Sequence, residues 1–293
     1  MSINVRSPEL LDLIDPEAQI EQLGTGCQFT EGPIWNAKEK FLLFSDIPAN
    51  QMKKWTPDSE ITNFRDPSGK SNGLTYDKQG RLIACEHANR RVSRTEADGT
   101  VVTIASHYNG KRLNSPNDVV VKSDGTIYFT DPPYGLTAAY GVEGEQELDF
   151  QGVYRLSPDG KLILLVDDFD RPNGLCFSPD ESILYVNDTA RMHIRAFDVR
   201  RDGALANGRI FADEHGDNGA PDGMKVDERG NVYVTGPGGI WIFNRSGAHL
   251  GVIQTPEKAA NLAWGGDDWG TLFITASTSL YRVQLKVSGI PVP

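Results

Sequence analysis

Six similar segments of the chain each begin with a polar side chain that carries an oxygen atom. The segments open with EGPIWN, NGLTYD, NDVVVK, NGLCFS, DGMKVD and NLAWGG, and their first residues are Glu31, Asn72, Asn117, Asn173, Asp222 and Asn261. Carboxylate and carboxamide oxygens are the ligands that hard divalent cations prefer, whereas Zn²⁺ favours Cys and clustered His. If the fold brings these side chains together, they predict a divalent-cation site, with Ca²⁺ favoured.

A purely structural explanation of the same residues is that Asn and Asp cap tight turns before strands, as they often do. That explanation suffices for one position. Six aligned positions favour a bound cation, because converging polar side chains are costly to bury without a partner. In addition, Glu31 and Asp222 would repel each other if both were ionised and unscreened.

The elements that must position these residues follow from the spacing of the six openings, which is 41, 45, 56, 49 and 39 residues. Each opening leads through a turn into apolar runs such as FLLFSD and TIYFTD, with no amphipathic helical stretch between them. This pattern predicts four-stranded antiparallel sheets. Six such units predict an all-β six-bladed β-propeller, formed by residues 1–293 as a single domain. Two β-sandwiches, the alternative, would need no recurring opening.

The two ends of the chain predict how the ring closes. Only KVSGIPVP follows SLYRVQL in the sixth unit, so that unit lacks a fourth strand, while AQIEQLGTG near the N-terminus has the character of an unpaired strand. We therefore expect the N-terminal strand to complete the last blade, which would remove two free sheet edges.

Composition and charge exclude several classes of function. The net charge of 29 − 40 = −11 argues against nucleic acid or an anionic membrane as partner. No apolar run approaches the roughly 20 residues that span a bilayer, and the N-terminal segment is acidic where a signal peptide is apolar. The three cysteines form no CxxC pair, which is typical of reduced thiols in a cytoplasmic protein. Because a closed propeller has no free edges, we expect a monomer.

Two long irregular stretches interrupt the repeats, at residues 131–152 and 213–221. Loops of this length inside a compact repeat are usually lids or binding edges, and a tolerated surface insertion is the alternative.

Nearly the whole chain resembles the gluconolactonase and senescence-marker-protein (regucalcin-like) lactonases. The resemblance rests on FTEGPIW (29–35), LNSPNDVVV (113–121), YFTDPPYG (128–135), RPNGLCFSPD (171–180), LYVNDT (184–189) and PDGMKVD (221–227). It implies a metal-dependent hydrolase that opens a sugar aldonolactone such as gluconolactone. It also implies a divalent cation, often Ca²⁺, held by one Glu, two Asn and one Asp. The matching positions are Glu31, Asn117, Asn173 and Asp222. Mn²⁺, Mg²⁺, Zn²⁺ and Fe²⁺ stay open as alternatives.

The second strand of a unit returns antiparallel, so its end lies beside an opening. These ends carry Asp46, Glu86-His87, Asp131 and Asp188. The side chains expected to contact the substrate are Asn72, His87, Asn117, Asp131 and Tyr134. In paraoxonases, which are more distant relatives, a histidine pair assists the reaction. The matching places here hold Asn72 and His87, which argues against lipophilic or phosphotriester substrates. A structural role for His87 is the alternative.

Asp222 is the first candidate for the base that takes a proton from the attacking water, and Asp131 is the reserve. A ligand carboxylate can lie both on the metal and near the water, although a bound cation would weaken it as a base. Ser71 in GKSNG matches G-x-S-x-G, but the following LTYDKQG predicts a strand instead of the helix that a nucleophile elbow requires. A non-catalytic calcium-binding propeller that binds a protein or a sugar is the alternative function, and condensation chemistry of the strictosidine-synthase type is another.

Overall fold

The computed structural model describes residues 2–292, which form antiparallel sheets that follow one another along the chain. The strands are β1 (Ile3–Val5), β2 (Glu21–Gly24), β3 (Thr30–Asn36), β4 (Phe41–Asp46), β5 (Gln51–Thr56), β6 (Ser59–Arg65), β7 (Ser71–Tyr76), β8 (Leu82–Glu86), β9 (Arg91–Thr95), β10 (Val101–Ala105), β11 (His107–Tyr108), β12 (Lys111–Arg112), β13 (Val119–Val121), β14 (Ile127–Asp131), β15 (Gln151–Leu156), β16 (Leu162–Phe169), β17 (Pro172–Phe177), β18 (Ile183–Asp188), β19 (His193–Val199), β20 (Leu205–Asp213), β21 (Met224–Val226), β22 (Val232–Gly236), β23 (Gly239–Phe243), β24 (His249–Gln254), β25 (Ala259–Gly265), β26 (Thr271–Ala276) and β27 (Ser279–Gln284). Two short 3₁₀ helices lie at Pro8–Asp12 and Tyr134–Leu136. Among the described residues, no helix is long and apolar enough to cross a membrane.

Six sheets form the blades of a closed ring. Blades 1 to 6 consist of β3–β6, β7–β10, β13–β16, β17–β20, β21–β24 and β25–β27, and β11–β12 form a separate ribbon. The first strand of each blade contacts the first strand of the next, and β25 of blade 6 contacts β3 of blade 1. These contacts place the six inner strands around one axis and confirm the predicted six-bladed propeller.

The N-terminal strand closes the ring as predicted. Strand β2 pairs antiparallel with β27, with Gln22 opposite Tyr281, and supplies the fourth strand of blade 6. One feature differs from the prediction, because β1 pairs with β24 and gives blade 5 a fifth strand. Strand β1 has three residues, too few to show a strand pattern in the sequence. Its role is to cover the outer edge of blade 5.

The core lies between the blades, because each sheet packs face to face against its neighbours. Every residue of β4 is buried, as is every residue of β17. A strand covered on both faces has apolar residues on both, which explains why the sequence shows continuous apolar runs where a half-exposed sheet would alternate. Between blades 2 and 3, for example, Ile83 packs in one cluster with Phe129 and Tyr154.

Glycines bring the inner strands close together at the axis. Gly73 donates its N–H to Asn117 O at 2.8 Å, and a Cβ at this position would lie only 2.7 Å from the same oxygen. A Cβ at Gly174 would collide with the carbonyl oxygen of Asp222. This close approach holds the opening residues of adjacent blades within contact distance.

Candidate active site

The opening residues converge on a pocket of about 180 Å³ at the end of the ring where the inner strands begin. Five of the six line it, namely Glu31, Asn72, Asn117, Asn173 and Asp222. The sixth, Asn261, supports the pocket from behind by donating from Nδ2 to Glu31 Oε2 at 2.8 Å. The other lining residues are Phe29, Ile47, His87, Tyr134, Tyr140, Thr189 and Lys258.

A chain of hydrogen bonds fixes the three asparagines. Asn72 Nδ2 donates to Asn117 Oδ1 at 2.8 Å, and Asn117 Nδ2 donates to Asn173 Oδ1 at 2.5 Å. Asn173 Nδ2 donates in turn to Thr189 Oγ1 at 3.0 Å. Asn117 Oδ1 also lies 3.2 Å from His87 Nε2, and Asn173 Oδ1 keeps a second lone pair. Asn72 Oδ1 is buried and has no hydrogen-bond partner among the described residues, so it is one acceptor still to be satisfied.

Glu31 and Asp222 bring two carboxyl groups into the same pocket. Glu31 is buried, and its Oε2 accepts from Gly32 N at 2.6 Å as well as from Asn261. Burial raises the pKa of both acids, and the charge of Glu31 raises the pKa of Asp222 further. Two such carboxylates are stable together in the ionised form only beside compensating positive charge.

This set of donors fits a hard divalent cation. Glu31, Asp222, Asn117 and Asn173 offer two carboxylates and two amide oxygens, and Asn72 Oδ1 adds the unsatisfied acceptor. Among residues 2–292 no group of three or more His, Cys, Asp or Glu could hold a metal ion. What the pocket does offer is oxygen ligands of the kind that Ca²⁺ prefers, two amides beside a pair of acids.

His87 is a neutral hydrogen-bonding group in the wall of the pocket. Burial lowers its pKa to about 4. Its Nδ1 lies 3.1 Å from the carbonyl oxygen of Tyr140, and its Nε2 lies 3.2 Å from Asn117 Oδ1 and 3.4 Å from Asn72 Nδ2. Each ring nitrogen thus faces an oxygen that can only accept, and the single proton of the neutral imidazole can serve one of them. His87 links the loop of Tyr140 to the asparagines of the pocket.

The loop of residues 131–152 covers one side of the pocket with two tyrosines. The ring of Tyr140 meets that of Phe29 edge-on, with 5.4 Å between centroids. Lys70 Nζ holds the loop from blade 2 by donating to Ala138 O at 3.0 Å. Burial raises the pKa of Tyr134 to about 12, so its hydroxyl stays protonated and can donate. This arrangement agrees with the expected lid and places Tyr134 in the pocket.

Asp131, expected as a substrate contact and as the reserve base, is not among the lining residues. Its Oδ2 accepts from Asn114 N at 2.8 Å, just as Asp46 Oδ1 accepts from Phe29 N at 3.1 Å and Asp188 Oδ1 from Arg171 N at 3.0 Å. In blades 1, 3 and 4 these aspartates bind the backbone of the segment that enters the blade. The structure therefore gives Asp131 a role in holding the backbone and no contact with the pocket.

Several lining residues were missed from the sequence, and a simple signal would have found two of them, Ile47 and Thr189, together with His87, which was predicted. The residue just after the end of a second strand reaches the pocket in blades 1, 2 and 4, where it is Ile47, His87 and Thr189. Counting one position past the terminal acid identifies all three. Tyr140 and Lys258 lie in loops, where no periodicity marks them.

The fold and the pocket define a class of protein, a six-bladed propeller with an oxygen-lined site on its axis. A family model, the SMP-30/Gluconolactonase/LRE-like region, matches residues 29–278, and the chain belongs to this family. A gluconolactonase of Zymomonas mobilis subsp. mobilis is 38% identical over 97% of this chain and 86% of its own length.

Solved structures agree with this relationship. A gluconolactonase of Xanthomonas campestris has a TM-score of 0.91 and 38% identity, covering 97% of this chain and 95% of its own. A calcium-binding regucalcin of Agrobacterium tumefaciens has a TM-score of 0.80 at 19% identity, covering 94% and 97%, and shares the fold. The predicted family is confirmed, and so is the prediction of an enzyme of the lactonase class.

Proposed function

We propose that this protein hydrolyses a sugar lactone such as gluconolactone in the axial pocket, assisted by a divalent cation held by Glu31, Asn117, Asn173 and Asp222. The observation that carries the proposal is the convergence of two carboxyl groups and two carboxamides in one pocket, in a chain similar to gluconolactonases. Ca²⁺ is the favoured cation because all the donors are oxygen atoms, and Mn²⁺, Mg²⁺, Zn²⁺ or Fe²⁺ are alternatives to be tested.

A divalent cation bound there would supply positive charge that polarises the lactone carbonyl. Asp222 takes one proton from the attacking water as its oxygen bonds to the carbonyl carbon. The bond between this carbon and the ring oxygen then breaks, and the ring oxygen leaves as a hydroxyl group by taking that proton back from Asp222. The carboxylic acid formed at the carbonyl carbon loses its remaining proton to solvent. The product is the open-chain aldonate with one proton released. Burial and the neighbouring Glu31 raise the pKa of Asp222, and the charge of Lys258 opposes this shift and so favours the ionised, basic form.

The rest of the wall suits a polyhydroxylated ring. The unsatisfied Asn72 Oδ1 can accept from sugar hydroxyls, the Tyr134 hydroxyl can donate, and His87 adds a neutral imidazole to the same wall. Phe29 and Tyr140 offer an aromatic side for the C–H face of the ring. A few placed polar groups against an apolar side are typical of small-molecule sites.

The test of the base is Asp222→Asn, which keeps the shape of the side chain and removes its basicity. We expect turnover of D-glucono-1,5-lactone, followed as acid release above the spontaneous rate, to fall by about 100-fold or more. Asp217→Asn neutralises an exposed acid of the neighbouring loop and serves as the control. Full activity in the Asp222 variant would remove this residue from the mechanism.

The cation is tested separately. Chelator-stripped protein should lose turnover and regain it when Ca²⁺, Mn²⁺ or Zn²⁺ is added back. Calorimetric titration of the cation should show binding to the wild type that is weakened in Glu31→Gln, which reads the site without relying on activity. Cation binding by folded protein that opens no lactone of a broad panel would favour the non-catalytic binding module.

A further inference from the structure

Lys258 is the one cationic side chain among the described residues that line the pocket. It lies just before β25, at the entrance to blade 6, and its side chain is exposed. Lys258 forms no ion pair within the part of the chain that the structure describes, although it shares the pocket with Glu31 and Asp222. An unpaired cation at the rim of a pocket attracts anionic ligands to that pocket.

The segment that carries Lys258 is held rigidly, and its neighbouring acid is turned away. Glu257 Oε1 accepts from Ser279 Oγ at 2.5 Å and from Tyr281 OH at 2.8 Å, while Oε2 accepts from Thr278 N at 2.8 Å. These bonds use both carboxylate oxygens on blade 6. Glu257 therefore does not neutralise Lys258, and it anchors the turn that presents the ammonium group to the pocket.

The charges in the pocket indicate what Lys258 binds. The lining offers two acids and one lysine, so a divalent cation at the acids would leave the site with a net positive charge. A neutral lactone does not use this charge. Opening the lactone makes use of it, because the reaction converts the neutral ring ester into a negatively charged carboxylate and releases one proton.

We propose that Lys258 is the anion-binding residue of the lactonase reaction, pairing with the carboxylate of the aldonate product and with the negative charge that develops on the carbonyl oxygen before it. The ammonium group stays protonated throughout and transfers no proton. This inference rests on the assignment of lactone opening to the axial pocket. It predicts that the enzyme binds its anionic product more tightly than a neutral polyol of the same size.

The experiment compares the affinities of D-gluconate and of the neutral D-glucitol, measured by calorimetry and as inhibition constants against D-glucono-1,5-lactone. In Lys258→Gln we expect gluconate binding to weaken by roughly 3- to 10-fold, as for a partly exposed charge pair, and glucitol binding to stay unchanged. Lys258→Arg should keep most of the preference for gluconate. In the wild type, added salt should weaken gluconate binding, and this dependence should shrink in Lys258→Gln.

Lys161→Gln is the matched control, since Lys161 is exposed at the turn before β16 on the opposite face of the ring. The proposal is overturned if gluconate binds Lys258→Gln as it binds the wild type, if both ligands weaken equally, or if the wild type does not prefer gluconate. Unfolding midpoints of all variants identify any that is not folded. If Lys258→Gln is not folded, the preference of Lys258→Arg for gluconate over glucitol decides. Because the readout is ligand affinity, failure here is distinct from failure of the proposed hydrolysis, which Asp222→Asn tests by turnover.

Discussion

At the scale of single residues, blade 5 lacks the aspartate that holds the entering backbone in blades 1, 3 and 4. In blades 1, 3 and 4 an aspartate at the end of the second strand binds the entering backbone, but β22 ends in Gly236. The carboxyl of Glu214, from the entering segment itself, fills the space that a side chain at Gly236 would need. Neither of its oxygens has a hydrogen-bond partner among the described residues. Desolvation by burial raises the pKa of Glu214 to about 9.

Because of Glu214, we expect the free energy of unfolding to fall as pH rises. Between its unfolded pKa of 4.5 and its folded pKa of about 9, the folded state keeps a proton that the unfolded state has lost, so the free energy of unfolding decreases with pH. Glu214→Gln cannot titrate and should gain stability over the wild type by up to about 4 kcal/mol between pH 5 and pH 8. Denaturant unfolding at both pH values measures this difference, and a gap that does not change with pH would contradict it.

At the scale of elements, the loop of residues 131–152 contributes what the strands cannot. Strand ends supply short side chains at the axis, whereas Tyr134 and Tyr140 reach over the pocket from the loop. The backbone of the loop also contacts His87, whose Nδ1 lies 3.1 Å from Tyr140 O. The loop thus joins the aromatic wall to the polar wall of the site.

Removing the side chain of Tyr140 should loosen this cover. In Tyr140→Ala the backbone bond to His87 can remain, but the edge contact with Phe29 is lost. We expect KM for gluconolactone to rise several-fold, with a loss of about 1 kcal/mol of binding free energy that is typical of one aromatic contact. Val142→Ala, at a 60% exposed position of the same loop, is the control and should leave KM unchanged. Equal effects of the two substitutions would exclude a specific role for Tyr140.

At the scale of the whole molecule, both ends of the chain hold the ring together. Besides β2, the C-terminal segment crosses the face opposite the pocket, where Ser288 O accepts from Glu228 N at 2.9 Å. Gly289 N donates to Trp269 O at 2.9 Å, and Val292 packs on the core cluster that includes Ile34. The segment therefore ties blades 5, 6 and 1 to one another.

Gly289 is the position at which this tie is most sensitive. A Cβ there would collide with the ring of Trp264, so Gly289→Ala must displace the segment or the indole. We expect a loss of about 1–3 kcal/mol in the free energy of unfolding, as for other overpacked sites. Gly144→Ala is the matched control, because the nearest atom to its Cβ would be Val142 O at 3.8 Å. Thermal unfolding of both variants measures the difference, and equal midpoints would show that the segment adapts without cost.

The sequence by itself determined the architecture and the center of the site. The recurrence of six polar openings depends on local strand and turn chemistry, which repeats along the chain and can be counted. The missing strand of the sixth unit and the spare strand at the N-terminus predicted the closure by β2. The convergence of Glu31, Asn117, Asn173 and Asp222 followed from the ring alone, because equivalent positions of a closed repeat must meet at its axis.

The tertiary structure alone decided which neighbouring side chains share the pocket. Asp131 and His87 were both placed at second-strand ends, yet Asp131 turns to the backbone of Asn114 while His87 faces the axis. A difference of one position reverses the direction of a side chain at a strand end, and the sequence pattern does not resolve it. Tyr140 reaches the pocket from a loop that contacts blades 1 and 2, and Lys258 reaches it from a turn whose Glu257 is bound by residues more than 20 positions later in blade 6. Such long-range contacts leave no periodic trace in the sequence, so only the folded chain reveals them.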